Sequence, residues 1–136
     1  MSIENLRVML VDDDADTRSI MRYLLDSINP KLCITEAEDG HAAVKAYLDG
    51  RFDLIFLDVD MPEVNGWDTL EFINDLEELQ KQDAKIVMVT GRNTDKDREK
   101  ANKLGAYDFV SKPFDTEEMI ALMEGLIEEK KSMSAS

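Results

Sequence analysis

The chain has 136 residues, the size of one ordinary domain, with 43% hydrophobic and 34% charged residues. That balance is neither that of a disordered chain nor that of a membrane protein, and no apolar run approaches the ~20 residues of a membrane span. Thirty acids against sixteen bases give a net charge of −14, which argues against nucleic acid and anionic lipid as partners.

Cys33 is the single cysteine, so no intrachain disulfide can form. Met1-Ser2-Ile3-Glu4-Asn5 lacks the basic-then-apolar pattern of a secretory signal, so a cytoplasmic location is expected.

In chain order, short apolar runs at Leu6 to Val11, Leu32 to Thr35, Leu54 to Leu57, Ile86 to Thr90 and Tyr107 to Val110 predict five strands. Their continuous apolar character predicts cover on both faces. The segments between them predict helices. Ile20, Met21, Leu24, Leu25 and Ile28 share one helical face in the first. Ala43, Val44, Tyr47 and Leu48 do so in the second, and Phe72, Ile73, Leu76 and Leu79 in the third. The fourth, about Asp95 to Leu104, is highly charged, with Ala101 and Leu104 as anchors. The fifth follows Asp115-Thr116 and carries Met119, Ile120, Leu122, Met123, Leu126 and Ile127, with Gly125 costing about 1 kcal/mol against Ala. Lys131 to Ser136 reads as a polar, frayed tail. Five βα units with right-handed crossovers predict a doubly wound parallel sheet with helices on both faces.

The unusual residues follow the strands. Asp12, Asp13 and Asp14 come after Val11, and Asp58 and Asp60 come at the end of the third run. Thr90 and Gly91 come after Val89, and Lys112 and Pro113 after Ser111. Parallel α/β sheets bind ligands beyond the carboxyl ends of their strands, where strand order reverses. Were the first and third strands adjacent there, as in a 2-1-3-4-5 order, Asp12, Asp13 and Asp58 would converge. Three such carboxylates repel one another unless positive charge sits between them. Magnesium suits the site, because it takes oxygen ligands and prefers sites completed by phosphate. Lys112 and Thr90 would flank a phosphoryl group and stabilise its equatorial oxygens during in-line transfer. One carboxylate would be the nucleophile, forming an acyl phosphate.

These residues resemble the response-regulator receiver domain of two-component signalling. The resemblance rests on Val11-Asp12-Asp13, on Leu57-Asp58-Val59-Asp60-Met61-Pro62 with Gly66, and on Val89-Thr90. Gly105-Ala106 and Phe109-Val110-Ser111-Lys112-Pro113-Phe114 complete it. It covers Leu6 to Glu129 and is closest in type to a stand-alone chemotaxis regulator. It implies a flavodoxin-like sheet of order 2-1-3-4-5. It implies Asp58 as phosphoryl acceptor, Asp12 and Asp13 as magnesium ligands beside Asp58, and the Asp60 carbonyl as a further ligand, with manganese as a substitute ion. Thr90 and Lys112 would bind the phosphoryl group, Lys112–Pro113 would be cis, and Thr90 with Phe109 would form the switch. Asp60 and Arg92 hold positions that tune phosphoryl lifetime. Asn65 departs from the family's usual Asp.

The implied partners are a sensor histidine kinase or phosphotransfer protein and an unknown downstream protein. The signal would leave through the face of the fourth helix, fifth strand and fifth helix, in a monomer or a phosphorylation-dependent dimer. The domain is expected over residues 1–131, with 132–136 as the tail and no turnover activity. A phosphate sink or relay intermediate shares every site residue. An adaptor that is never phosphorylated leaves the acidic, Thr and Lys set without a purpose. Ile55-Phe56-Leu57-Asp58-Val59-Asp60 is also similar to the first motif of haloacid-dehalogenase-type phosphatases, which leaves Asp12 and Asp13 unexplained.

Several neighbours have blander readings. Asp14 and Asp16 suit a helix start. His41 reads as a surface residue, Cys33 as a buried or half-buried hydrophobe, and Met119 and Met123 as core. Trp67 follows the loop glycine near the acidic pocket.

Overall fold

The computed structural model describes residues 6–61, 65–80, 84–91, 95–112 and 114–135. Strands and helices alternate along them: β1 (Arg7–Val11), α1 (Ala15–Ile28), β2 (Cys33–Ala37), α2 (Gly40–Asp49) and β3 (Leu54–Asp58). There follow α3 (Gly66–Gln80), β4 (Lys85–Thr90), α4 (Asp95–Lys103), β5 (Asp108–Ser111) and α5 (Thr116–Ala135). Every pairing is parallel and the order is β2-β1-β3-β4-β5, the flavodoxin-like arrangement expected from the resemblance.

Side chains alternate across a strand, so the apolar runs feed two cores. Met9, Val11, Ile55, Leu57, Ile86 and Met88 face a layer with Ala43 and Tyr47 of α2, Ile73 of α3 and Ala101 of α4. Val8, Leu10, Leu54, Phe56, Val87 and Val89 face Met21 and Leu25 of α1 and Met119 and Met123 of α5. Both layers hold the sheet rigid, which fixes the relative heights of the strand ends.

Helix ends follow local chemistry. Asp14 caps α1 by accepting from the Asp16 N–H, Asp39 caps α2 by accepting from Ala42, and the Asn65 side chain accepts from Asp68 at the start of α3. Asn65 thus supplies the capping oxygen that Asp would have offered. Gly105, at φ 84°, ends α4 in a left-handed turn, with Gly105 N–H bonded to Asn102 and Ala106 N–H to Ala101.

Several expectations are corrected. Ile20, Leu48, Phe72 and Leu79 are exposed by 56, 51, 53 and 80%, although each shares an apolar pattern with buried neighbours. Residues i and i+1 lie about 100° apart on a helix, and here Met21, Tyr47 and Ile73 take the buried seat while Ile20, Leu48 and Phe72 beside them turn outward. β2 is an outer strand bonded to β1 alone and is only partly covered. Cys33 at its start is consequently exposed. The backbone expected to fray from Lys131 remains helical in α5 through Ala135. His41 is exposed, and Met119 and Met123 are fully buried, as expected.

Candidate functional site

The sheet register builds the site. Val11 stands level with Leu57, so Asp12 and Asp58 leave neighbouring strands at one height. Asp58 is level with Val89, and Thr90 is level with Ser111. Thr90 therefore lies one residue above the two acids, and Lys112 one above Ser111. Four segments distant in sequence end in a row beyond one edge of the sheet.

Asp12, Asp13 and Asp58 converge as expected, with one carboxylate oxygen of each within 4.8 Å of the others. Asp12 and Asp58 are buried and Asp13 is exposed, so the cluster opens outward through Asp13. Lys112 Nζ lies 2.8 Å from Asp12 Oδ2 and 3.4 Å from Asp58 Oδ1. Asp12 Oδ1 accepts from the Asp14 N–H at 2.9 Å. Asp12 Oδ2 is held by the Lys112 ammonium, which Asp58 shares. Three converging carboxylates that share a single lysine are a donor set that fits a hard divalent cation, and magnesium in particular.

The charges are strained in a telling direction. Burial, and then the neighbouring Asp12 charge, push the Asp58 carboxyl from its ordinary 3.8 up to about 6, despite the attraction of Lys112. Burial pulls the Lys112 ammonium down, but its bonds to Asp12 and the charge of Asp58 outweigh this and hold it above its usual value. One lysine is therefore shared between two acids, and the pocket retains an excess of negative charge.

Asp60 is exposed and stays outside the carboxylate cluster, while its N–H donates to Asp58 Oδ1 at 3.4 Å. Thr90 is fully buried and Phe109 is 5% exposed, so the phenyl ring points inward. The Arg98 guanidinium lies 5.1 Å from its centroid. Arg92 and Pro113, and with them the expected cis bond, lie outside the described residues. Trp67 is buried at the start of α3, under Lys100 of α4 at 4.9 Å, and bridges two helices beside the pocket.

Two contributors carried weak sequence signals. Gly66 lies so close to β3 that a Cβ there would sit 2.1 Å from the Asp58 carbonyl oxygen, and its N–H donates to Val59. Only glycine permits that approach. Arg18 of α1 donates to the Asp12 carbonyl and to Glu36 of β2 at 2.9 Å, and Arg22 holds the other Glu36 oxygen at 3.0 Å. An arginine four residues after the Asp14 cap, on a helix crossing an acid-bearing edge strand, was the available clue.

A buried acid pair at the switch point of a 2-1-3-4-5 sheet, bridged by the lysine that follows the last strand, is the arrangement of a receiver-type domain. The chain belongs to the response regulator receiver domain family, whose family model matches residues 8–124. It is 36% identical over 121 residues to the transcriptional regulatory protein CpxR of Klebsiella pneumoniae, covering 89% of this chain and 49% of that protein. It is 31% identical over 121 residues to the transcriptional regulatory protein ResD of Bacillus subtilis, covering 89% and 48%. The chain thus spans about half the length of these curated relatives. Among solved structures it resembles the chemotaxis protein CheY4 of Vibrio cholerae, with TM-score 0.78 and 23% identity over 90% of this chain and 98% of that one. The Saccharomyces cerevisiae Ssk1 receiver domain, solved with the histidine phosphotransfer protein Ypd1, gives TM-score 0.77 and 25% identity over 85% and 83%. Family membership sets aside the haloacid-dehalogenase reading. Among the described residues no helix is long and apolar enough to cross a membrane.

Proposed function

We propose that the chain takes a phosphoryl group onto Asp58 from a phosphohistidine donor, on a sensor kinase or a phosphotransfer protein, and relays the change to a protein partner. The observation that carries this reading is the shared Lys112, in contact with both Asp12 and Asp58 in a pocket with more acid than base.

An Asp58 carboxylate oxygen attacks phosphorus as the donor's phosphorus–nitrogen bond breaks, and the departing imidazole keeps the nitrogen electron pair. Lys112 turns from the carboxylates to a phosphoryl oxygen, and the Thr90 hydroxyl donates to another. Asp12, Asp13, Asp58 and the Asp60 carbonyl would hold magnesium, or manganese in its place. The bound ion would supply neutralising charge for the acids and the incoming phosphoryl oxygens. Movement of Thr90 opens room for Phe109 to turn further in, which shifts the population of the face made by α4, β5 and α5. Asp60 and Arg92 would set how long the phosphoryl group survives. In this reading the receiver spans residues 1–131 and acts in the cytoplasm, without turnover of a free substrate.

The test is intact mass recorded over time with acetyl phosphate and magnesium, with Asp58→Asn as control. One added phosphoryl group that requires both the metal and Asp58 supports the reading. Its decay rate separates an output role from a sink. Absence of the adduct with acetyl phosphate and with phosphohistidine donors would refute it.

A further inference from the structure

Away from the acidic pocket, α2 and α3 flank an open groove of about 460 Å³, walled by Val44 and Leu48 of α2 and Phe72 of α3. Leu48 and Phe72 are each about half exposed, at 51 and 53%, and Leu79 further along α3 is 80% exposed. Their positions are ordered. Asp68, Phe72, Asp75 and Leu79 are all exposed and recur at steps of four, three and four, one line down the outer side of α3. The line alternates acid and apolar. Glu71 is exposed on the opposite flank, where it shares a second groove with Lys96, Lys100 and Lys103 of α4, and α3 contains neither lysine nor arginine. The buried side of α3, through Leu70 and Ile73, already serves the core. The outer line therefore has no role in holding the fold.

We propose that this groove is a docking surface for a basic amphipathic helix of another protein. Such a helix would place apolar side chains between Leu48 and Phe72 and beside Leu79, with lysines or arginines against Asp68 and Asp75. Phe72 and Leu79 are seven residues apart, about 10.5 Å along the axis, which matches two turns of a facing helix. A helix laid between α2 and α3 buries its apolar ridge against both. Charge selects the occupant. A second copy would set acid against acid on chains that each carry −14, whereas a basic helix neutralises the line. Lys45 on the α2 rim fixes polarity, because it favours the end of the partner helix that carries carboxylate or carbonyl groups.

The test is a titration of the isotope-labelled full chain, at physiological salt, with an 18-residue helical peptide of leucine and lysine on opposite faces. A peptide of the same composition in shuffled order is the control. Amide shifts confined to residues 40–49 and 66–80, with the shuffled peptide inert, support the proposal. Phe72→Ser should then weaken binding about tenfold, the burial of one half-exposed ring, while acetyl phosphate labelling of that variant verifies its fold. Shifts spread over every acidic surface, equal binding of the shuffled peptide, or unchanged affinity in Phe72→Ser would overturn it. So would a dimer in sedimentation that Phe72→Ser dissolves.

Discussion

Removing the Asp58 charge should make the metal-free protein more stable. Asp58 lies buried against Asp12, and its carboxyl is pushed from 3.8 up to about 6, so at pH 7 the folded protein holds an anion it would rather protonate. At 1.36 kcal/mol per pKa unit the ionisation penalty is roughly 3 kcal/mol, an upper bound for the gain in Asp58→Asn. The direction with pH follows from proton binding. The folded state binds the proton more tightly than the unfolded chain, so this group favours folding more as pH falls through 6 toward 3.8. Asp58→Asn lacks that dependence. Its advantage should be greatest at pH 7 and fall to about half by pH 5. Urea denaturation with EDTA present reads this as a midpoint shift of up to about 2 M at a slope near 1.5 kcal/mol/M. Magnesium should then stabilise the wild type more than the variant, because the variant has lost one ligand and much of the repulsion. A variant that is no more stable than wild type at pH 7 in EDTA, or whose advantage grows toward pH 5, would show that Lys112 already neutralises the pair.

Other substitutions probe the supports of the site. Arg18→Met should cost about 1 kcal/mol by losing the bonds to the Asp12 carbonyl and Glu36, and should weaken magnesium binding measured by calorimetry. The Arg18 hydrogen bond holds the Glu36 carboxyl below its usual value, so this cost should be full above pH 4.5 and fade as acid protonates Glu36. Arg18→Lys should not restore it, since an ammonium cannot serve both acceptors in the guanidinium's geometry. Gly66→Ala drives a methyl group into the Asp58 carbonyl and should destabilise by about 3 kcal/mol or more, with loss of acetyl phosphate labelling. Gly125→Ala should do the reverse, raising thermal stability by about 0.5–1 kcal/mol, because a methyl there meets only the Tyr107 hydroxyl at 3.9 Å.

Strand runs and helix caps were legible because they depend on neighbours in sequence. Leu54 to Leu57 reads as a strand wherever it is placed, and Asp14 caps α1 through the Asp16 N–H only two residues away. The acids, Thr90 and Lys112 were legible because parallel strands deliver their following residues to one edge. What stayed hidden depends on neighbours distant in sequence. Periodicity alone does not tell whether Phe72 or Ile73 takes the seat on the sheet, nor that Cys33 at the start of the edge strand is left exposed. The clearance at Gly66 depends on the backbone of β3 eight residues earlier, and the Arg18 bonds depend on how α1 crosses β2. Asp58 looks like an ordinary acid in sequence; its raised pKa arises from burial and from Asp12, 46 positions away.

The row of strand ends has a further consequence. Asp12, Asp58, Thr90 and Lys112 are drawn from the first, middle and last parts of the chain, and no continuous fragment shorter than residues 12–112 holds the whole set. Peeling β5 from β4 would remove Lys112 and leave two buried acids facing each other. Loss of β1 would remove the Asp12 and Asp13 ligands together. The chemistry is therefore a property of the finished sheet. On the proposed function, a chain that has not yet completed the sheet would not acquire the phosphoryl group, so a labelled molecule has folded before it delivers a signal.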